Sequence, residues 1–259
     1  MATAKKTATK KAPAKKKPAA KKGGGLVSVS FPPVRTERIR VRVRNRPGSP
    51  LVPHKWAEKG KLEILAKQLQ IPKQKKGPRN PHKECVDSAY WIKGKPSEVD
   101  PLVIPQLAEG ETLDYNKLLE LTDKLKKAFA KGTFGIPSVA FAKAMVSAVR
   151  HIDGPTMAAT RGMFFVVGDA ADGDLVTIQS KNPPTMREDN VTIGMGKSDL
   201  RFRCEFAEWE ADVTIEYDPS LIKPNQLTHL LDRAGFGVGV LENRPEKGGQ
   251  WGRFMVVKR

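Results

Sequence analysis

The sequence predicts an α+β fold: an antiparallel sheet with helical insertions, preceded by a disordered basic tail. Three observations carry that prediction. Residues 38–44 read Arg-Ile-Arg-Val-Arg-Val-Arg, a strict two-residue period. Residues 200–259 switch between strand-like and helix-like periods, with Gly and Pro at the boundaries. Residues 1–25 are Lys, Ala, Pro and Thr ending in three glycines, a composition with too little apolar surface to fold.

Charge narrows the partners. The 259 residues carry a formal net charge of +18, and the nine lysines of residues 1–25, with no acid among them, account for half of it. Residues 26–259 therefore keep +9, an excess that attracts polyanions. The tail is similar to the lysine-alanine-proline tails of linker histones and reads as a sequence-blind phosphate-binding arm. It has neither an apolar core segment nor an arginine, so it fits no targeting peptide. No apolar run is long enough to cross a membrane, and no membrane partner is expected. Cys85 and Cys204 stand 119 positions apart and form no C-x-x-C pair, which removes zinc ribbons and local redox pairs. A soluble, cytoplasmic protein follows as the expectation.

Taken in order, the elements begin with the 38–44 strand. Ile39, Val41 and Val43 turn inward, and Arg38, Arg40, Arg42 and Arg44 share the opposite face. Guanidinium groups two residues apart recur roughly every 7 Å, close to the phosphate spacing of an extended single strand. The alternative is a solvated face whose arginines pair with acids of a neighbouring strand. Residues 54–70 predict a helix with Trp56, Leu62, Leu65 and Leu69 on one side; His54 and Lys55 stand at its start. Lys73, Lys75, Lys76 and Arg79 form a basic loop broken by Gly77-Pro78. Residues 93–131 read as an insertion, with a helix over about 114–131 carrying Leu118, Leu119, Leu121, Leu125 and Phe129 and ended by Gly132. Another helix is expected from Ile136-Pro137 to Arg150.

Phe164–Val167 and Leu175–Gln179 predict two strands joined by an acidic turn, Gly168–Asp174, which lacks the full calcium-loop pattern. Residues 202–206 and 209–217 predict two more strands, and Pro224 opens a helix with Leu227, Leu230 and Leu231. Gly235-Phe236-Gly237-Val238-Gly239 closes that helix into a further strand, followed by a last one over Trp251–Val257. The 200–259 region thus reads as a β-α-β-β half of the ferredoxin-like, RRM-like kind. Residues 26–259 make one nucleic-acid-binding domain behind the tail.

No catalytic set emerges. His54, His82, His151 and His229 are scattered, and neither H-E-x-x-H nor G-x-x-x-x-G-K-[ST] occurs. No cofactor or metal is expected. His54 is the one candidate base for a metal-independent ribonuclease.

The run Met186-Arg187-Glu188-Asp189-Asn190-Val191-Thr192-Ile193-Gly194-Met195-Gly196 resembles a signature of tailed-phage proteins of unassigned function. So do Gly235–Gly239, Arg244-Pro245-Glu246-Lys247 and Gly252-Arg253-Phe254. More loosely, the layout is similar to the RAMP superfamily, the RRM-like RNA-gripping backbone subunits of CRISPR effector complexes. It departs from them in the Ile136–Lys143 stretch, which lacks their glycine and basic spacing. The resemblance implies gripping of single-stranded RNA or DNA by its backbone, as a homo-oligomer or filament, in the host cytoplasm if the protein is phage-encoded. It does not imply catalysis. Arg187, Arg244 and Arg253, on glycine-bearing loops, join the expected contacts. The remaining alternatives are a processing ribonuclease, a duplex-DNA-compacting protein driven by the tail, and a virion-associated basic protein.

Overall fold

The computed structural model describes residues 33–72, 78–100, 110, 114, 116, 119–171, 173–193 and 196–257. The 1–25 tail and Lys73, Lys75 and Lys76 lie outside them. From Arg35 onward the described residues belong to one unit.

β1 (Glu37–Asn45) covers the arginine-alternating run. It stops at Arg46-Pro47-Gly48-Ser49, where Ser49 N–H donates to the Arg46 carbonyl at 3.0 Å and Gly48 takes φ +70°. Proline at the second turn position and a positive-φ glycine at the third make this a type II turn. β1 pairs antiparallel with β8 (Glu210–Tyr217) from Glu37↔Tyr217 to Arg44↔Glu210. On its other side β9 (Phe254–Val256) pairs only with Val43–Asn45.

β4 (Phe164–Val167) and β5 (Leu175–Gln179) lie end to end along the remaining edge of β8, with the acidic loop extruded between them. Asp169 holds that loop by accepting from the Thr177 amide at 2.7 Å and its hydroxyl at 2.8 Å. β3 (Thr133–Pro137) and the short β2 (Trp91–Lys93) extend the sheet beyond β5. The order across the sheet is β2-β3-β5-β8-β1-β9, with β4 also on β8, and every pairing is antiparallel.

The two long helices pack together against the buried face of this sheet. α4 (Ser138–Ala148) follows β3, and α6 (Pro224–Gly237) joins β8 to β9. Pro224 opens α6, and the Gln226 side chain accepts from the Lys223 amide at 2.9 Å. Leu227, Leu231 and Ala234 of α6 and Phe141 and Met145 of α4 are buried with Val43, Val213, Ile215 and Val176 of the strands. Each such aliphatic side chain contributes about 1.5–3 kcal/mol. The Phe254 ring links the layers, lying 5.5 Å from Phe141 and 6.2 Å from Trp209.

The remaining helices are α1 (Glu58–Gln68), α2 (Pro81–Ser88), α3 (Asp123–Lys131) and the single turn α5 (Met157–Thr160). α3 is anchored in the same core: Phe129 lies 5.2 Å from Trp91, which lies 4.4 Å from Phe134.

Several expectations need correction. Of the helix expected over about 114–131, Asn116 and Leu119 are helical, Glu120–Thr122 interrupt it, and it resumes as a helix at Asp123, where the Thr122 side chain caps it. Leu118 of the expected helix lies outside the described residues. Thr133–Pro137 is a strand and not the start of a helix, because Phe134 and Ile136 turn into the core beside Ile178 and Val176. The apolar seam of α1 stays exposed, including Leu62, Leu65 and Leu69, with Trp56 before it. The 200–259 region is not β-α-β-β: β7 (Lys197–Glu205) precedes β8, and α6 is followed by one strand. The strand expected after Gly239 gives way to a loop, since Gly239, Leu241, Asn243, Gly248 and Gly252 all take positive φ. β7 pairs along its length with β6 (Thr185–Ile193), so Met186–Ile193 lies in one strand of a separate hairpin. Cys85 and Cys204, remote in sequence, meet as buried thiols with their sulfurs 3.4 Å apart, and burial pushes the Cys85 thiol well up.

Candidate nucleic-acid interface

Because both long helices lie on one side, the opposite face of the sheet carries the even-numbered side chains of β1. Arg38, Arg40, Arg42 and Arg44 stand in register with Glu216, Thr214, Asp212 and Glu210 of β8. Three of the arginines are paired with acids. Arg38 meets Glu216 at 2.7 Å, Arg40 meets Asp212 at 3.2 Å, and Arg42 binds both oxygens of Asp212 at 2.8 and 3.0 Å. The hydrogen bond and charge of Asp212 raise the Arg42 guanidinium above its ordinary value. Arg44 makes no ion pair among the described residues.

The pairing is uneven in depth. The side chains of Arg38, Arg40 and Arg42 are 64%, 63% and 49% exposed, against 26% for Glu216 and 11% for Asp212. A guanidinium has five N–H donors, and one carboxylate occupies at most two of them. The carboxylates sit low and fix the guanidinium groups, whose other donors stay in solvent. Phe165, register partner of Glu216, presents a 62% exposed ring on the same face. Across the β1–β8 pair, the three acids Glu210, Asp212 and Glu216 against four arginines leave this part of the face at +1.

The other expected residues fall into three places. Arg79 is a latch between α2 and β7: it pairs with Glu84 and Asp199, each at 2.7 Å, and lies 5.6 Å from the Phe202 ring centre. The Glu84 hydrogen bond raises its affinity for the proton further.

His54, Arg187 and Arg244 converge on the second cluster. His54 Nδ1 lies 3.3 Å from Glu242, which Arg203 approaches to 4.0 Å. The hydrogen bond from His54 holds the Glu242 carboxyl below its usual range, with Arg203 and Arg244 adding to the effect. Glu242 is flanked by Leu241 at φ +64° and Asn243 at φ +46°, strained conformations for residues other than glycine. Arg203 is 8% exposed, lies 3.4 Å from Asp189, and its Nε has no hydrogen-bond partner among the described residues. Arg187 bonds Asp189 and Glu205 at 2.6 Å and stacks on Trp251 at 4.1 Å. Arg244 bonds Glu246 at 3.0 Å and the Leu241 carbonyl at 3.0 Å. Lys55 sits 6.0 Å over the ring of Tyr90, whose hydroxyl is pushed up by burial and then by Glu242.

Arg253 occupies the third place, over Phe236 at 5.4 Å, with Arg46 at 5.2 Å from the same ring. Phe165, Arg46, Phe236, Glu242 and Arg203 escaped the sequence reading. Phe165 alone left a signal, as the outward position between Phe164 and Val166.

No group of His, Cys, Asp and Glu suited to a metal ion occurs among the described residues, and no described helix is long and apolar enough to cross a membrane. Fold and face together define an α+β protein with a mostly antiparallel sheet, sheathed by helices on one side and carrying an arginine row on the other. Searches against protein-family models and curated proteins find no match for this chain.

Proposed function

We propose that this protein binds single-stranded RNA or DNA across the open sheet face, mainly through phosphates, as an RRM-type, ferredoxin-like domain. The observation that carries the reading is the row Arg38, Arg40, Arg42 and Arg44 on a sheet face free of the long helices. The ferredoxin-like assignment is supported by chain order. β1, α4, the β4–β5 composite, β8, α6 and β9 follow a β-α-β-β-α-β sequence, with spatial order β9-β1-β8-β4/β5. The exposed Phe165 supplies a surface on which a base can stack, an interaction worth about 1–3 kcal/mol per base. A cytoplasmic, oligomeric protein with an N-terminal phosphate-binding arm completes the proposal.

A charge of only +1 across β1 and β8 assigns much of the long-range attraction to the tail and the remaining surface, and leaves positioning to the arginine row. Deleting residues 1–25 is therefore expected to weaken binding without abolishing it. Each phosphate contact removed lowers the salt slope by about 0.7 on single strands. Electrophoretic or anisotropy titrations over a salt series check this. Complete loss of binding would favour a tail-driven compacting protein instead.

One contact favours a second reading, a metal-independent ribonuclease: Glu242 orients His54 as a carboxylate orients a general base. Against it, Glu242 also faces Arg203 and Arg244, so its charge is shared. The expected result is that structured RNA stays intact with the full chain in a chelator. His54→Ala should bind like the parent. Cleavage that stops on this substitution would establish the second reading.

A further inference from the structure

We propose that the outer edge of β1, over Glu37–Val41, accepts an added antiparallel strand from a partner protein. That strand would carry carboxylates at every second position, with apolar residues between them.

The backbone points to this first. β9 covers β1 only at Val43–Asn45, and the Val257 amide donates to the Arg42 carbonyl at 2.9 Å. Even-numbered residues of β1 therefore direct their N–H and C=O groups to that edge. Among the described residues no strand meets those of Arg38 and Arg40. Such groups on a strand edge are a template for pairing.

Burial points the same way. Val43, where β9 lies alongside, is fully buried, whereas Ile39 and Val41 on the same face are only half-buried. The core is open where β9 stops, and the apolar residues of an added strand would close it. On the other face, Arg38 and Arg40 are held on one flank by the carboxylates of β8 and are otherwise largely exposed.

Charge selects the partner. β8 itself, Glu-Ala-Asp-Val-Thr-Ile-Glu-Tyr, shows which pattern this strand accepts on its inner side. A second copy offering its own β1 would set arginine against arginine, and like charges directly opposite destabilise a sheet. The added strand would use the edge backbone together with the Arg38 and Arg40 side chains; the peptide assay contains no nucleic acid, so its outcome is distinct from that of the proposed function.

The test uses the full chain and a labelled peptide with the β8 sequence. Saturable binding is expected. A peptide with lysine at the three acidic positions should fail to bind. Arg40→Pro should also lose binding, because it removes an outward N–H while the ladder to β8 uses odd-numbered residues. Should Arg40→Pro not fold, a peptide N-methylated at alternate residues asks the same question of the unaltered protein and should not bind. Absence of saturable binding to the full chain overturns the proposal. So does equal binding of the lysine or N-methylated peptide. Cross-links from position 40 into residues 26–31 of the same chain would also overturn it, since the edge would then be closed internally.

Discussion

Arg40→Glu combined with Arg42→Glu should lower single-strand affinity by on the order of a hundredfold, equivalent to about 3 kcal/mol. Both guanidinium groups sit over one carboxylate, so the substitutions place three acids where two bases enclosed Asp212. A phosphate approaching between Arg38 and Arg44 would meet three carboxylates where it met two guanidinium groups and one carboxylate. The change also affects stability, because Asp212 loses the Arg40 and Arg42 guanidinium groups and like charges crowd a cross-strand position. Ile39, Val41 and Val43 still face the core, so the fold should survive with a lowered melting temperature. Arg40→Gln with Arg42→Gln separates the two effects: it removes the attraction without adding charge. Binding by anisotropy and melting by circular dichroism, measured together, decide how much of the loss is direct.

Gly235→Ala should be the most destabilising small substitution in α6, by about 3 kcal/mol or more. Helix propensity alone favours alanine by roughly 1 kcal/mol. Packing opposes it, because a Cβ at Gly235 would lie 2.3 Å from the Phe254 carbonyl oxygen. That oxygen accepts from Arg46 Nε at 3.0 Å, and its residue pairs with Asn45 of β1. Moving β9 away would break both and loosen Phe254 from Phe141 and Trp209. Gly248→Ala is the control: it carries φ +81° with nothing near its Cβ, so its cost is limited to backbone strain, about 1 kcal/mol. Urea unfolding of the two variants should separate them clearly.

Local period made β1 and β8 legible, since apolar and polar residues alternate over Arg38–Arg44 and along the whole of β8. Their partnership was not legible. Which acids would face Arg38 and Arg42 depends on register between residues more than 160 positions apart, and no local pattern encodes it. The contact of His54 with Glu242 spans 188 positions and was hidden for the same reason. β6 gave no strand signal because Met186-Arg187-Glu188-Asp189-Asn190 lacks alternating apolar residues; the long ladder to β7 supplies its order. The Gly235–Gly239 run suggested a strand after it, but the glycines there serve tight crossings. A Cβ at Gly252 would clash with the Val240 carbonyl. The glycine-rich signature thus has a packing explanation independent of any ligand. The candidate arginines were found by pattern, while the depth of their carboxylate partners, which orients them, came only from the sheet.

Arg44→Glu offers the most direct test of the open face, because Arg44 makes no ion pair among the described residues and its loss leaves no described partner unpaired. Affinity of the full chain for a single-stranded oligonucleotide should be measured over a salt series, with the melting temperature taken on the same sample. Phosphate binding along β1 predicts about a tenfold weaker affinity and a salt slope lower by about 0.7, with a melting temperature lowered only slightly by the new glutamate facing Glu210. An Arg44→Glu protein that binds with the parent's affinity and slope would contradict it.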